Sequence, residues 1–194
     1  MEREITDMSS TTIRPATLAD SRAILELVNR LAADQVMLPR SPASIIEHIR
    51  DFVVAEVDGA FAGCGALAIV WSDMAEIRSI AVEPIHQGLG LGRRMAETLI
   101  SEARDLGLPQ VMAFTYVTGF FTGLGFEVVE HARLPHKVFN DCLNCPKFYS
   151  CDETAVLLTL VPQDELPEPF AGSAHLPLPG GGPNRQGLPT LKST

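Results

Sequence analysis

Basic residues are few in this chain. Its 15 Lys and Arg are outnumbered by 24 Asp and Glu, giving a formal charge of −9 over 194 residues. Nucleic-acid surfaces need clustered cations to meet the phosphate backbone, and here they are spread thinly, which argues against a nucleic-acid partner. A small, amine-bearing substrate suits an acidic chain better. Long apolar runs are missing too. No stretch approaches the roughly 20 apolar residues that cross a bilayer, and Met1-Glu2-Arg3-Glu4 lacks the basic-then-apolar order of a secretory signal. These absences exclude a membrane span and predict a cytoplasmic protein. Cysteine is scarce, with four residues in all. In a reducing compartment they read as thiols or metal ligands rather than disulfides. No internal repeat is visible.

What the chain does have is a core's worth of apolar residues, 46% of the total. That is enough for one domain and too little length for two of enzyme size. Its most distinctive run is Ile80-Ala81-Val82-Glu83-Pro84-Ile85-His86-Gln87-Gly88-Leu89-Gly90-Leu91-Gly92-Arg93-Arg94, a strand-like stretch that breaks at proline and enters a glycine-rich turn before a helix. Glycines at 88, 90 and 92 let the backbone approach a ligand. The following helix then directs unpaired N–H groups and its positive dipole end at any anion placed there. Arg93 and Arg94 add charge for a phosphate. The dinucleotide fingerprint is excluded because arginine stands where its third glycine is required. The nucleotide P-loop is excluded because the turn has no Gly-Lys-Ser/Thr.

The spacing predicts a first strand over residues 12–16 and a helix capped from residues 17–20. Ile24, Leu25, Leu27, Val28 and Leu31 lie on one broad face of that helix. A second short helix is expected over 43–50, with Ile45, Ile46 and Ile49 inward. Residues 52–57 and 61–71 read as a hairpin about Asp58-Gly59, and 75–82 as a third strand. Gly63 and Gly65 weaken a strand interior unless a neighbouring backbone or a ligand comes close. Met95, Leu99, Ala103 and Leu106 form the buried stripe of a helix that Gly107 ends. A strand at 110–115, a short helix at 119–124, a strand starting at 125–129 and a last strand at 155–160 complete a mixed α/β sandwich. Seven prolines and Gly180-Gly181-Gly182 follow Val161. The expected organisation is a flexible N-terminus at 1–11, one domain at 12–161 and a disordered tail at 162–194.

The pattern Gln87-x-x-Gly90-x-Gly92 behind an Ala-Val-x-Pro strand end resembles the acetyl-coenzyme A loop of the GNAT superfamily of N-acetyltransferases, and the element order matches that fold. The resemblance implies a mixed central sheet flanked by helices, with acetyl-CoA at splayed strands. The pantetheine arm would run along Ile80, Ala81 and Val82, and the pyrophosphate would sit on Gln87, Gly88, Leu89, Gly90, Leu91, Gly92 and Arg93. Amine acylation needs a neutral amine, so a carboxylate must take the ammonium proton. Several members carry that glutamate at the strand position of Glu76. Arg78 shares its face and could hold an acceptor carboxylate in a bidentate fork. The family's usual acid is a tyrosine five residues before the phenylalanine of Gly125-Phe126, where this chain has Phe121. Tyr116 is the nearest substitute by position, and packing is its other reading.

Blocks around Gly63-Cys64-Gly65-Ala66-Leu67, Trp71-Ser72-Asp73, Ala75-Glu76-Ile77-Arg78, Thr115-Tyr116 and Leu134-Pro135-His136-Lys137-Val138-Phe139 resemble the short, single-domain N-acetylglutamate synthases. That resemblance implies transfer of acetyl to the α-amine of L-glutamate, the first step of arginine biosynthesis. Arg78, Lys137 and Arg40 would receive the two carboxylates. No amino-acid-kinase domain precedes the domain, so an arginine-sensing module is not expected. Another amino acid, a polyamine or a protein amine is the alternative acceptor, and the sequence leaves a homodimer open. Cys142, Cys145 and Cys151, in Cys-x-x-Cys-x5-Cys, are spaced as three ligands for zinc or an iron–sulfur cluster, with His131, His136 or Asp152 as a fourth. Three free thiols are the competing reading. With the departure from the family's tyrosine, they also suggest a metal- or redox-sensing protein that binds acetyl-CoA without turnover.

Overall fold

The computed structural model describes residues 10–134, 151–162 and 165. Its strands are β1 (Thr11–Pro15), β2 (Phe52–Val57), β3 (Ala60–Trp71), β4 (Met74–Val82), β5 (Gln110–Thr115), β6 (Glu127–Val128) and β7 (Thr154–Thr159). They form one mixed sheet in the order β1-β2-β3-β4-β5-β7-β6. Every neighbouring pair is antiparallel except β4 and β5, which run parallel. The crossover between those two is helix α3 (Leu91–Asp105), while α1 (Ser21–Ala33) and α2 (Pro42–Glu47) join β1 to β2. A short helix α4 (Thr118–Thr122) follows β5.

Each face of the sheet carries its own core. On one face Met95, Leu99 and Ala103 of α3 pack with Val53, Leu67, Ala75, Ile77 and Val111. On the other, Ile24, Leu27 and Val28 of α1 and Ile45 of α2 pack with Phe52, Val54, Cys64 and Ala81. Leu25 and Leu31 are only partly buried against this second cluster. The Asp58-Gly59 hairpin forms as the sequence predicts, with both turn residues at positive φ. Ahead of α1, a turn of 3-10 helix spans Leu18–Asp20. The Asp20 carboxylate accepts from the Thr17 N–H at 2.7 Å and from Arg14 Nη1 and Nη2 at 2.9 and 2.8 Å, locking α1 to β1.

Two apolar residues assigned to helix stripes lie outside them. Ile46 is exposed, because it lies about 100° around α2 from the buried Ile45, and a separate 3-10 turn brings Ile49 inward. Leu106 is also exposed: Gly107, at φ 74°, closes α3 with its N–H on Arg104 O, and the Leu108 N–H returns to Ala103 O. This double closure puts Leu108, not Leu106, under the helix end. The expected strand after Gly125 is reduced to two residues, Glu127 and Val128. The tail beyond residue 165 and the N-terminal nine residues lie outside the described residues. Among the described residues no helix is long and apolar enough to cross a membrane.

Candidate active site

The parallel ladder between β4 and β5 is brief. Met74, Ala75 and Glu76 face Gln110, Val111 and Met112, and beyond Glu76 the two strands part. The rest of β4 stays paired with β3, and the rest of β5 with β7, so a wedge opens in the middle of the sheet. Its walls include main chain that β4 and β5 no longer pair with each other, a place where an extended ligand can dock as an added strand. A cavity of about 450 Å³ fills this wedge. Ile77, Arg78, Ser79, Ile80 and Val82 line it from β4, and Phe114, Thr115, Tyr116 and Val117 from the β5 side.

A bulge in β4 aims this wall. Arg78 pairs with Ala66 and Ala81 with Cys64, so three steps on β4 face two on β3. The extra residue is accommodated at Ser79, whose φ is +56°. Side-chain parity therefore flips: Ile77, Ile80 and Val82 all pack toward α3, whereas Ala81 packs toward α1. The opposing strand is built to allow it. A Cβ on Gly65 would lie 2.4 Å from Ile80 Cδ1, and one on Gly63 would lie 2.6 Å from the Ala81 carbonyl oxygen. The Cys64 thiol beneath the bulge donates to Ser79 O at 3.7 Å. Burial, and secondarily the charge of Glu83, pushes that thiol up to about 12. Gly63 and Gly65 thus serve close approach, as their place in a strand implies, while the bulge itself was not foreseen.

Glu76 stands where the strands part, 2% exposed as a residue, and it lines the cavity. Arg78, two residues on, lines the same cavity with a side chain 11% exposed and has Nη2 3.9 Å from Asp51 Oδ2. Arg40 reaches the cavity from the loop between α1 and α2, beside Met37 and Leu38. Tyr116 lines the β5 wall, and its hydroxyl donates to Asp152 Oδ1 at 2.7 Å. Four sequence-derived candidates, Glu76, Arg78, Arg40 and Tyr116, therefore meet in one cavity. Glu153 lines it as well and was missed. The β5–β7 register, which pairs Thr115 with Thr154, brings it there, and no local motif signals that pairing.

The glycine turn caps the same wedge. Gly88 and Gly90 sit at φ 83° and 74° with open space around them, and Gly90 is the residue immediately before α3. Both need glycine for their conformation. Gly92 does not: a Cβ there would make ordinary contacts of 3.6–3.9 Å with Phe120, Val82 and Ile80. Gln87 lines the cavity and its Nε2 lies 3.5 Å from Val82 O, tying the turn back to the strand. Arg93 bonds Glu97 Oε1 at 2.8 Å and Gly123 O at 3.2 Å. Arg94 corrects the reading that gave both arginines to a phosphate. It turns away to the hydroxyl and carbonyl of Thr11 on β1, because consecutive helix residues point about 100° apart.

Lys137, Cys142 and Cys145 lie outside the described residues. Cys151 is exposed. Among the described residues no group of three His, Cys, Asp or Glu is arranged to hold a metal ion. Two residues considered as a fourth ligand are engaged elsewhere. His131 Nε2 lies 2.8 Å from Glu153 O with its ring stacked on Phe114, and Asp152 accepts from Tyr116.

Comparison with known proteins agrees with this fold. The model of the Acetyltransferase (GNAT) family matches residues 24–126. An uncharacterized N-acetyltransferase, CT2212 of Chlorobaculum tepidum, is 40% identical over 152 residues, covering 78% of this chain and 98% of that protein. An amino-acid acetyltransferase of Mycobacterium tuberculosis is 36% identical over 66% of this chain and 75% of its own length. Among solved structures, M. tuberculosis Rv2747, in complex with CoA, superimposes with a TM-score of 0.67 at 30% identity, covering 77% of this chain and 99% of that one. An N-acetylglutamate synthase from Neisseria gonorrhoeae, complexed with coenzyme A and N-acetyl-glutamate, gives a TM-score of 0.71 at 26% identity over 80% of this chain, which spans 36% of that longer protein.

Proposed function

The chain belongs to the acetyltransferase (GNAT) family, and on that premise we propose that it transfers acetyl from acetyl-CoA to the α-amine of L-glutamate by direct attack in a ternary complex. The observation that carries this reading is the convergence of Glu76, Arg78 and Arg40 on the cavity at the β4–β5 wedge. One carboxylate in the cavity lining takes the ammonium proton, directly or through water. Two guanidiniums on the walls receive carboxylates as charge-assisted pairs. Relatives named amino-acid acetyltransferase support the acceptor class.

In this reading the main chain of Ile80, Ala81 and Val82 holds the pantetheine arm, and an N–H of this segment faces the developing oxyanion. The turn from Gln87 to Arg93 receives the pyrophosphate on its backbone N–H groups at the start of α3. Tyr116, on the opposite wall, protonates the leaving thiolate, its hydroxyl turning away from Asp152 Oδ1 to do so. Residues 12–161 form the catalytic domain. With glutamate as acceptor, the reaction is the first step of arginine biosynthesis.

Glu153 gives a second reading its one specific support. A further carboxylate in the cavity wall favours an acceptor with less negative charge, such as glutamine or a diamine. The test is release of free coenzyme A by the purified protein, with L-glutamate set against glutamine, aspartate, lysine and spermidine. A kcat/KM for glutamate well above the others supports the proposal, and preference for another amine overturns the acceptor while leaving the family intact.

A further inference from the structure

We infer that Asn29, which does not line the cavity, is a positioning residue for acceptor recognition: it fixes the backbone of Arg40 and so the wall that Arg40 contributes. The inference rests on the proposed function only in giving Arg40 an acceptor to meet. Its structural basis is independent of which amine that is.

The loop between α1 and α2 leaves the helix through Gln35, a non-glycine residue at φ +61°. The Gln35 and Val36 N–H groups still close on Ala32 and Leu31. Beyond them Met37, Leu38 and Arg40 form cavity wall, and Pro39 has no N–H to donate. At Arg40 the loop is clamped. Asn29 Nδ2 donates to Arg40 O at 2.9 Å, and the Arg40 N–H donates to Asn29 Oδ1 at 2.8 Å. A carboxamide has one acceptor and donors in a plane, so it can meet both polar groups of one residue as a neighbouring strand would. Two such bonds fix not only where the Arg40 backbone lies but how it is turned, and hence the direction of its side chain.

The residue type argues for purpose. Asparagine is a poor helix former because its side chain competes for nearby backbone groups. Within α1 it instead bonds a residue 11 positions away. The adjacent Arg30 anchors the same turn, with Nη2 2.5 Å from Glu83 Oε2, just ahead of the glycine turn. The loop therefore hangs from a helix end that is itself fixed to the residue just after β4. Asp in place of Asn29 would keep the acceptor and lose the donor; Ala would lose both.

The test compares the wild-type protein with Asn29→Ala, Asn29→Asp and a control on the same helix, Arg22→Ala, whose exposed side chain pairs with Glu26 along α1. KM is measured for acetyl-CoA and for the amine that the wild-type protein turns over best. Amide hydrogen exchange is followed at Arg40 and across α1. The expected result for Asn29→Ala is a rise of about tenfold in acceptor KM, the size set by losing two hydrogen bonds. Acetyl-CoA KM stays within about twofold, Arg40 exchange is faster, and α1 protection is retained. Asn29→Asp, nearly isosteric, reproduces the KM rise, and Arg22→Ala does neither. Unchanged Arg40 exchange, an unchanged acceptor KM with Arg40 released, or an equal rise in both KM values would each overturn the inference. A failure of the glutamate reading shows in the wild-type acceptor profile, and a failure of this inference shows only in the difference between variant and wild type.

Discussion

Replacing Gly63 by alanine isolates the close approach on which the bulged wall depends. The new Cβ would stand 2.6 Å from the Ala81 carbonyl oxygen and 3.3 Å from Val82 Cα, where ordinary contact begins at 3.4 Å. The clash is with main chain, which cannot rotate away, so β3 and β4 must separate by roughly 0.8 Å where Gly63 faces Val82 and Cys64 faces Ala81. Overpacking of this kind costs about 1–3 kcal/mol, and the entropy saved by replacing glycine in a strand returns about 0.5–1 kcal/mol. The net loss of about 1–2 kcal/mol lowers Tm by about 2–8 °C in a domain of this size. If Ala81 and Val82 hold the acetyl donor as proposed, the KM for acetyl-CoA rises as well. Gly65→Ala is the comparison: its Cβ meets the terminal Cδ1 of Ile80, which can change rotamer, so a smaller Tm loss is expected. Thermal unfolding and coenzyme A release measure both effects. A Gly63→Ala protein with wild-type Tm and wild-type KM would refute the argument.

Acid stability follows from Asp20. The Arg14 guanidinium, then the Thr17 N–H and hydroxyl, hold its carboxyl well below the usual carboxylate range. Because the folded value lies below the unfolded one, the stabilisation is fully present above the ordinary carboxylate pKa and is lost as pH falls through the folded value. Asp20→Asn should therefore cost about 1–2 kcal/mol at pH 7, discounted for an Arg14 side chain that is 37% exposed. The gap in Tm to wild type closes as pH drops below about 4, and a gap independent of pH would contradict this. For the thiols, iodoacetamide at pH 8 should label exposed Cys151 and spare Cys64, whose burial keeps it protonated, until the protein is unfolded. Peptide mass spectrometry reads this, and equal labelling of the two in the folded protein would count against the buried site.

Much of this site was legible because its signals are local. The glycine turn is readable because Gly88 and Gly90 need positive φ, a demand that leaves its mark in the residue type itself. Glu76 and Arg78 fall on one face because a strand alternates every two residues, and both line the cavity. What the sequence hid is non-local. The bulge at Ser79 shows only when the pairing of Arg78 and Ala81 with β3 is known, although Gly63 and Gly65 hinted at it. Glu153 and Asn29 act through partners far along the chain. The end of α3 misled where a Schellman closure exchanged Leu106 for Leu108, two residues on. Arg94 was misassigned because adjacency in sequence is not adjacency on a helix.

In the proposed reaction the Glu76 carboxylate at the strand wedge takes the proton from the acceptor amine. The most direct measurement is kcat for coenzyme A release by Glu76→Gln beside wild type, with glutamate as acceptor and acetyl-CoA binding verified by thermal shift. Glu76→Gln should lower kcat by about 10²–10⁴, with acetyl-CoA binding intact. Wild-type kcat in Glu76→Gln would contradict it.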